Sequence, residues 1–215
     1  MGLGSCGKDQ KSTSDKVDIK TIRSTESIVI STQQNSNKDY EKFIDTKFEY
    51  VDSIGRSLII ENSLPRGGLN YTDKYEKDYI YFIFWSKITN ETNNCFEFKL
   101  EFSKDNYELP SSSDNKFKIM FAREKMEIDK LQLFDYGLSN LKMTLDNELQ
   151  NSYKLQGTIN SNETNSFYVI ILFEKSLEEI VRTGLRLKDN NLYYRVNDKE
   201  IYSGKYNIKN LKLKH

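Results

Sequence analysis

The sequence is short of the groups on which most familiar catalytic chemistry depends. Its single histidine is His215, so Ser-His-Asp and Cys-His nucleophilic mechanisms, H-E-x-x-H zinc proteases and histidine-rich metal centres have nothing to build on. Two cysteines, Cys6 and Cys95, are too few for a disulfide framework or a Cys-based zinc site. An excess of charge is missing too: 32 Lys and Arg balance 32 Asp and Glu, with no dense basic cluster. No overall field draws a polyanion, and nucleic acid is not an expected partner. No apolar run approaches the roughly 20 residues that cross a bilayer. Neither G-x-S-x-G nor G-x-x-x-x-G-K-[ST] occurs, and Gly137-Leu138-Ser139-Asn140-Leu141 lacks the second glycine. No cofactor signature is present. The match of Gly2 through Gly7 to G-x-G-x-x-G is accidental, because a dinucleotide fingerprint needs a strand before it and a helix after it. Only carboxylate chemistry survives the inventory, and most acids alternate with lysine as on a solvated face.

What is present is β-sheet grammar. Phe96-Glu97-Phe98-Lys99-Leu100-Glu101-Phe102 alternates apolar and charged residues, as in a strand with one wet side. Tyr79 through Trp85 is continuously apolar and β-favouring, as in a strand covered on both faces. Thr89 to Asn94 between them is turn chemistry, so the two are expected to form a hairpin. The same order recurs in Leu155 to Ile159, a turn, then Phe167 to Phe173, and both turns carry Asn-Glu-Thr-Asn. Further strands are expected at Ser57 to Glu61, Phe117 to Phe121, Leu192 to Val196, Ile201 to Ser203 and Tyr206 to Leu211. Eight or so short strands predict a mainly β, antiparallel sandwich. Two short helical insertions are expected: Ser139 to Gln150, with Leu138, Leu141, Leu145 and Leu149 on one stripe, and a helix from Ser176 stopped by Gly184. The body is read as residues 19–215, with its ordered start between 19 and 46.

Residues 1–18 form a leader. Leu3-Gly4-Ser5-Cys6 resembles a bacterial lipobox, in which Cys6 would receive a lipid, and the polar stretch from Gly7 to Lys16 looks like a tether. The resemblance extends into the body. Gly55-Arg56-Ser57, Leu64-Pro65-Arg66-Gly67-Gly68, Ile83-Phe84-Trp85, Glu108-Leu109-Pro110-Ser111-Ser112 and Arg182-Thr183-Gly184-Leu185 look like a group of uncharacterised bacterial lipoproteins with immunoglobulin-like bodies. It implies a cell-envelope address, periplasmic or surface-exposed, with the membrane as partner through the anchor. It assigns no reaction, and the expected role is binding or assembly with a protein or glycan ligand. The alternatives are a carboxylate-dependent glycan hydrolase and a carbohydrate-binding module.

Within the body, Pro65-Arg66-Gly67-Gly68-Leu69-Asn70-Tyr71 is the segment best suited to meet a partner. Gly67 and Gly68 permit positive φ and close approach, while Arg66 and Tyr71 are residue types enriched at binding hot spots. A hairpin loop explains the same residues. Cys95, opening a strand beside Phe96, is expected to be a small buried residue. Asp73-Lys74-Tyr75-Glu76-Lys77-Asp78 lacks the order of a calcium loop and reads as a charged turn.

Overall fold

A computed structural model describes residues 40–146, 153–175, 177 and 179–214. The leader with Cys6 lies outside them. The chain divides into Met1–Glu41 and Lys42–His215, and the second unit holds every element below. Among its described residues are thirteen strands: β1 (Ile44–Val51), β2 (Ser57–Ser63), β3 (Arg66–Thr72), β4 (Asp78–Asn90), β5 (Phe96–Glu101), β6 (Tyr107–Leu109), β7 (Ser112–Lys125), β8 (Lys154–Ile159), β9 (Glu163–Phe173), β10 (Thr183–Lys188), β11 (Asn191–Val196), β12 (Lys199–Tyr206) and β13 (Lys212–Leu213). One helix, α1 (Leu141–Asp146), and two 3-10 turns, Ile128–Lys130 and Phe134–Gly137, lie between β7 and β8. No helix among the described residues is long and apolar enough to cross a membrane.

The strands form two antiparallel sheets. The larger runs β13-β1-β2-β4-β9-β7-β6, with β3 also on β4, and curls into a half-barrel. The smaller runs β10-β11-β12-β5-β8. The expectation of a mainly β, antiparallel body therefore holds. The pairing differs from the sequence reading, because β4 and β5 are not a hairpin. β4 pairs with β2, β3 and β9, whereas β5 pairs with β12 and β8. Each apolar–turn–apolar unit is an arch stepping from one sheet to the other, and the two arches lie side by side. Their Asn-Glu-Thr-Asn strings meet at one corner, where Asn90 is opposite Glu163 and the Asn162 amide donates to the Asn90 carbonyl at 2.6 Å.

The core lies between the sheets. Leu58, Ile60, Phe84, Ile88, Val169 and Ile171 are completely buried, and so are Phe96, Leu100 and Leu185. Phe98 stacks on Phe167 at 6.3 Å and Phe102 on Phe121 at 4.9 Å, joining the two layers. Asn62 joins them by hydrogen bonds: its Nδ2 donates to the Leu185 carbonyl at 3.1 Å, and its Oδ1 accepts from the Leu185 amide at 2.8 Å.

Several local expectations need correction. Gly184 does not end a helix; it lies within β10, and a Cβ there would come 3.3 Å from both Asn62 Nδ2 and Thr46 Oγ1. Residues 207–211 are not a strand, and pairing resumes only in β13. Cys95 is an exposed free thiol. It precedes the first inward residue, Phe96, so its side chain falls on the wet side. The segment from Arg66 to Thr72 is a strand, not a hairpin loop. It continues β2 along one edge of the 13-residue β4 after a break at Leu64-Pro65, since proline has no N–H to donate. At the break the Trp85 amide donates to Ser63 Oγ at 2.9 Å.

Candidate functional site

One face of β4 looks away from the smaller sheet and carries Tyr79, Tyr81, Ile83 and Trp85, all buried. β3 lies beside it, with Arg66 opposite Ile83, Leu69 opposite Tyr81 and Tyr71 opposite Tyr79. A bulge at Gly67 and Gly68 sets that register. Gly67 has φ 98°, and a Cβ there would stand 2.7 Å from the Tyr81 carbonyl oxygen, so only glycine fits. The connection from β7 to β8 covers this face.

The structure divides the segment singled out by sequence between two roles. Arg66 is part of a cage: its guanidinium lies 5.1 Å from the Tyr136 ring centre and 5.4 Å from that of Phe43. Tyr136 in turn meets Trp85 edge-on at 6.4 Å and donates its hydroxyl hydrogen to the Leu64 carbonyl at 2.7 Å. The Tyr136 carbonyl accepts from the Tyr168 hydroxyl at 2.9 Å. Anchored at both ends, Tyr136 tolerates φ 57° between Asp135 at 54° and Gly137 at 79°, three successive left-handed residues.

Asp135 is the electrostatic anomaly of this turn. It is 7% exposed, its Oδ2 meets the Tyr81 hydroxyl only at 3.4 Å, and its Oδ1 is buried without a hydrogen-bond partner. Burial pushes its carboxyl above the usual range, opposed by the Tyr81 hydrogen bond and the Arg66 charge.

Tyr71 belongs to an open recess of about 260 Å³ between the Asp73–Lys77 turn and α1. Tyr71 stacks on Tyr79 at 6.4 Å and donates to Asp146 Oδ1 at 2.7 Å. Lys74, Lys77 and Lys118 line the recess with Tyr75 and Leu145. Their ammonium groups lie over tyrosine rings, Lys74 at 5.0 Å from Tyr75, and Lys77 and Lys118 at 5.3 and 6.0 Å from Tyr79. The Tyr71 hydrogen bond, followed by Lys142, holds the Asp146 carboxyl below its usual range. Glu174 accepts from Lys77 Nζ at 2.6 Å, which raises the Lys77 pKa. Among the described residues no three His, Cys, Asp or Glu side chains are grouped to hold a metal.

The recess thus unites Tyr71 with residues the sequence reading passed over. Tyr79 was visible only as the start of an apolar strand, Lys118 as a charge inside another, and Asp146 as part of a helix. No local pattern joins them, because β3, β4, β7 and α1 meet only through the fold. The Leu133-Phe134-Asp135-Tyr136-Gly137-Leu138 string did carry a signal, an acid within an apolar run next to glycine. The chain matches no protein-family model, no curated protein and no solved structure.

Asp135 supplies a test. An acid whose folded pKa is raised makes the folded state bind its proton more tightly than the unfolded state does. Stability is then greatest below the ordinary value of 3.8 and falls as pH rises from there through the folded pKa. Asp135→Asn keeps a residue tolerant of left-handed φ and removes the buried charge. Denaturant unfolding is expected to show the variant more stable than wild type at pH 7, on the order of 1 kcal/mol, with the gain shrinking toward pH 3. A variant that is less stable at pH 7 by as much as at pH 3 contradicts it.

Proposed function

We propose that the protein is a binding module tethered to the bacterial cell envelope, with an immunoglobulin-like β-body whose ligand site is the Tyr71–Asp146 recess. The observation that carries the binding role is the recess itself, where aromatic rings and ammonium groups from β3, β4, β7 and a turn converge beside α1. Tyrosines supply rigid, amphipathic contact area at low entropic cost, as binding surfaces favour. Two facing antiparallel sheets support the immunoglobulin-like description. The tether and the envelope address rest on Leu3-Gly4-Ser5-Cys6 and the polar stretch after it, together with the resemblance to lipoproteins.

Binding is preferred to glycan hydrolysis because of how the acids are disposed. A hydrolase needs one carboxyl held protonated beside the substrate and a second one ionised. In the recess Asp146 is pushed the wrong way for a general acid, below its usual range. Asp135, which is pushed up, lies enclosed beneath its turn and lines none of the recess.

A mixed glycan and peptide array probed with the full chain tests the module. Binding without turnover, abolished by the double substitution Tyr71→Ala and Lys118→Ala, is the expected result. Signals indifferent to both substitutions, or cleavage of an arrayed glycan, contradict it. The anchor is tested separately by growing cells with a clickable fatty acid and expressing the gene with its native upstream sequence. Label should enter the protein and be lost in Cys6→Ser, whereas wild type without label removes the tether.

A further inference from the structure

We propose that the recess takes a saccharide ring bearing an anionic group, a carboxylate, sulfate ester or phosphate ester; this rests on the recess being the binding site. The first reason is that, among the described residues, Asp73 and Asp146 of its lining and the neighbouring Glu174 already have partners. Asp73 Oδ1 accepts the amides of Tyr75 and Lys77 at 2.8 and 2.9 Å. The two oxygens of Asp146 accept from the Tyr71 hydroxyl at 2.7 Å and Lys142 Nζ at 3.0 Å. Glu174 Oε1 accepts from Lys77 and also from Asn106 Nδ2, the latter at 2.7 Å. These carboxylates are thus engaged through at least one oxygen each, and three ammonium groups stand beside them in the recess.

The second reason lies in how those ammonium groups are stored. Lys74, Lys77 and Lys118 all lie against tyrosine rings, Lys77 being held by Glu174 as well, and the partly exposed cation–π contact of Lys74 with Tyr75 is worth only about 0.5–1 kcal/mol. Turning the exposed Lys74 Nζ from its ring to an anionic oxygen costs little and gains a charge-assisted hydrogen bond, and Lys118 adds its positive charge to the wall. The third reason is the walls. Tyr75 is 73% exposed at the mouth, and the stacked Tyr71 and Tyr79 stand behind it. Aromatic faces carry partial negative charge and attract the C–H face of a pyranose, while the hydroxyl rim meets phenol and ammonium groups. At about 260 Å³ the space suits a single ring and falls below that of pockets for drug-sized ligands. An extended peptide needs a longer furrow along a strand edge.

Isothermal titration of the full chain decides it with four probes: tetragalacturonate, its full methyl ester, a chondroitin sulfate tetrasaccharide and glucose 6-phosphate. The ester keeps the rings and removes the charge. At least one anionic saccharide is expected to bind, with the uronate, sulfate and phosphate arms separating the possible sources of charge. If it is the uronate, the ester binds at least ~10-fold more weakly. Binding should fall at least ~5-fold in Lys118→Ala and in Lys74→Ala, the latter at an exposed position where folding is not at stake. Raising salt from about 50 to 300 mM should weaken it further. An ester as tight as the acid overturns the anionic inference and leaves the recess as a site. Binding that neither lysine substitution nor Tyr75→Ala weakens moves the site elsewhere and overturns both. If no anionic saccharide binds while the array finds another recess-dependent ligand, the inference alone is lost.

Discussion

Asn62 is the point at which the two layers become one structure. Buried to 1% exposure, it spends its whole hydrogen-bonding capacity: Oδ1 accepts from the Leu185 amide and Ser86 Oγ, and Nδ2 donates to the Leu185 carbonyl and Thr46 Oγ1. β10 is the edge of the smaller sheet, so the inner backbone of Leu185 would otherwise be buried against β2 without a partner. Each orphaned group there would cost about 1–3 kcal/mol. The clamp also fixes Gly184 as the neighbour, because a side chain would press on the Asn62 amide. Other asparagines repeat the device where a strand has just ended, beyond β9 and beyond β12. Asn115 brackets the backbone of Lys175, and Asn207 bonds the Cys95 carbonyl and the Glu97 amide. At these three places asparagine side-chain amides serve as short pieces of backbone.

The site depends on this construction at one remove. Because β2 is held against the smaller sheet on its inner side, β4 presents its opposite face to the β7–β8 connection, and the row from Tyr79 to Trp85 is covered there. β3 can follow the same edge of β4 only by breaking at Leu64-Pro65 and bulging at Gly67 and Gly68. That bulge brings Arg66 against Tyr136 and Tyr71 against Asp146. The left-handed turn of Asp135, Tyr136 and Gly137 is strained and carries an enclosed carboxyl, yet its neighbours hold it at both ends. Stability is given up at that turn, as happens where a conformation serves something other than folding.

The sequence made the central strands legible, but not β1, β3, β6, β10 or β13, and not the connections. Alternation in β5 and the unbroken apolar runs of β4 and β9 are period and burial signals, and they fall where expected. Whether Asn90 to Cys95 closes a hairpin or an arch is not written in its composition, because both need the same polar turn residues. It is decided by which partners cover each face, at separations such as that between Ile83 and Ile170. β3 was hidden by proline and paired glycines, which signal a loop but here mark a break and a bulge. Of the candidate site, Tyr71 and Arg66 were legible as residue types. Their partners Tyr79, Lys118 and Asp146 were not, since only the tertiary arrangement brings them together.

If Asn62 is the clamp, the Leu185 amide proton is buried and hydrogen-bonded to a side chain, not to a strand. Hydrogen exchange at that one amide, measured in wild type and in Asn62→Ala, reads the claim directly. Wild type is expected to exchange Leu185 among its slowest amides, and the variant at least ~100-fold faster, as loss of about 3 kcal/mol of local protection implies. A Leu185 amide that exchanges at surface-loop rates in wild type, or at the same rate in both proteins, contradicts it.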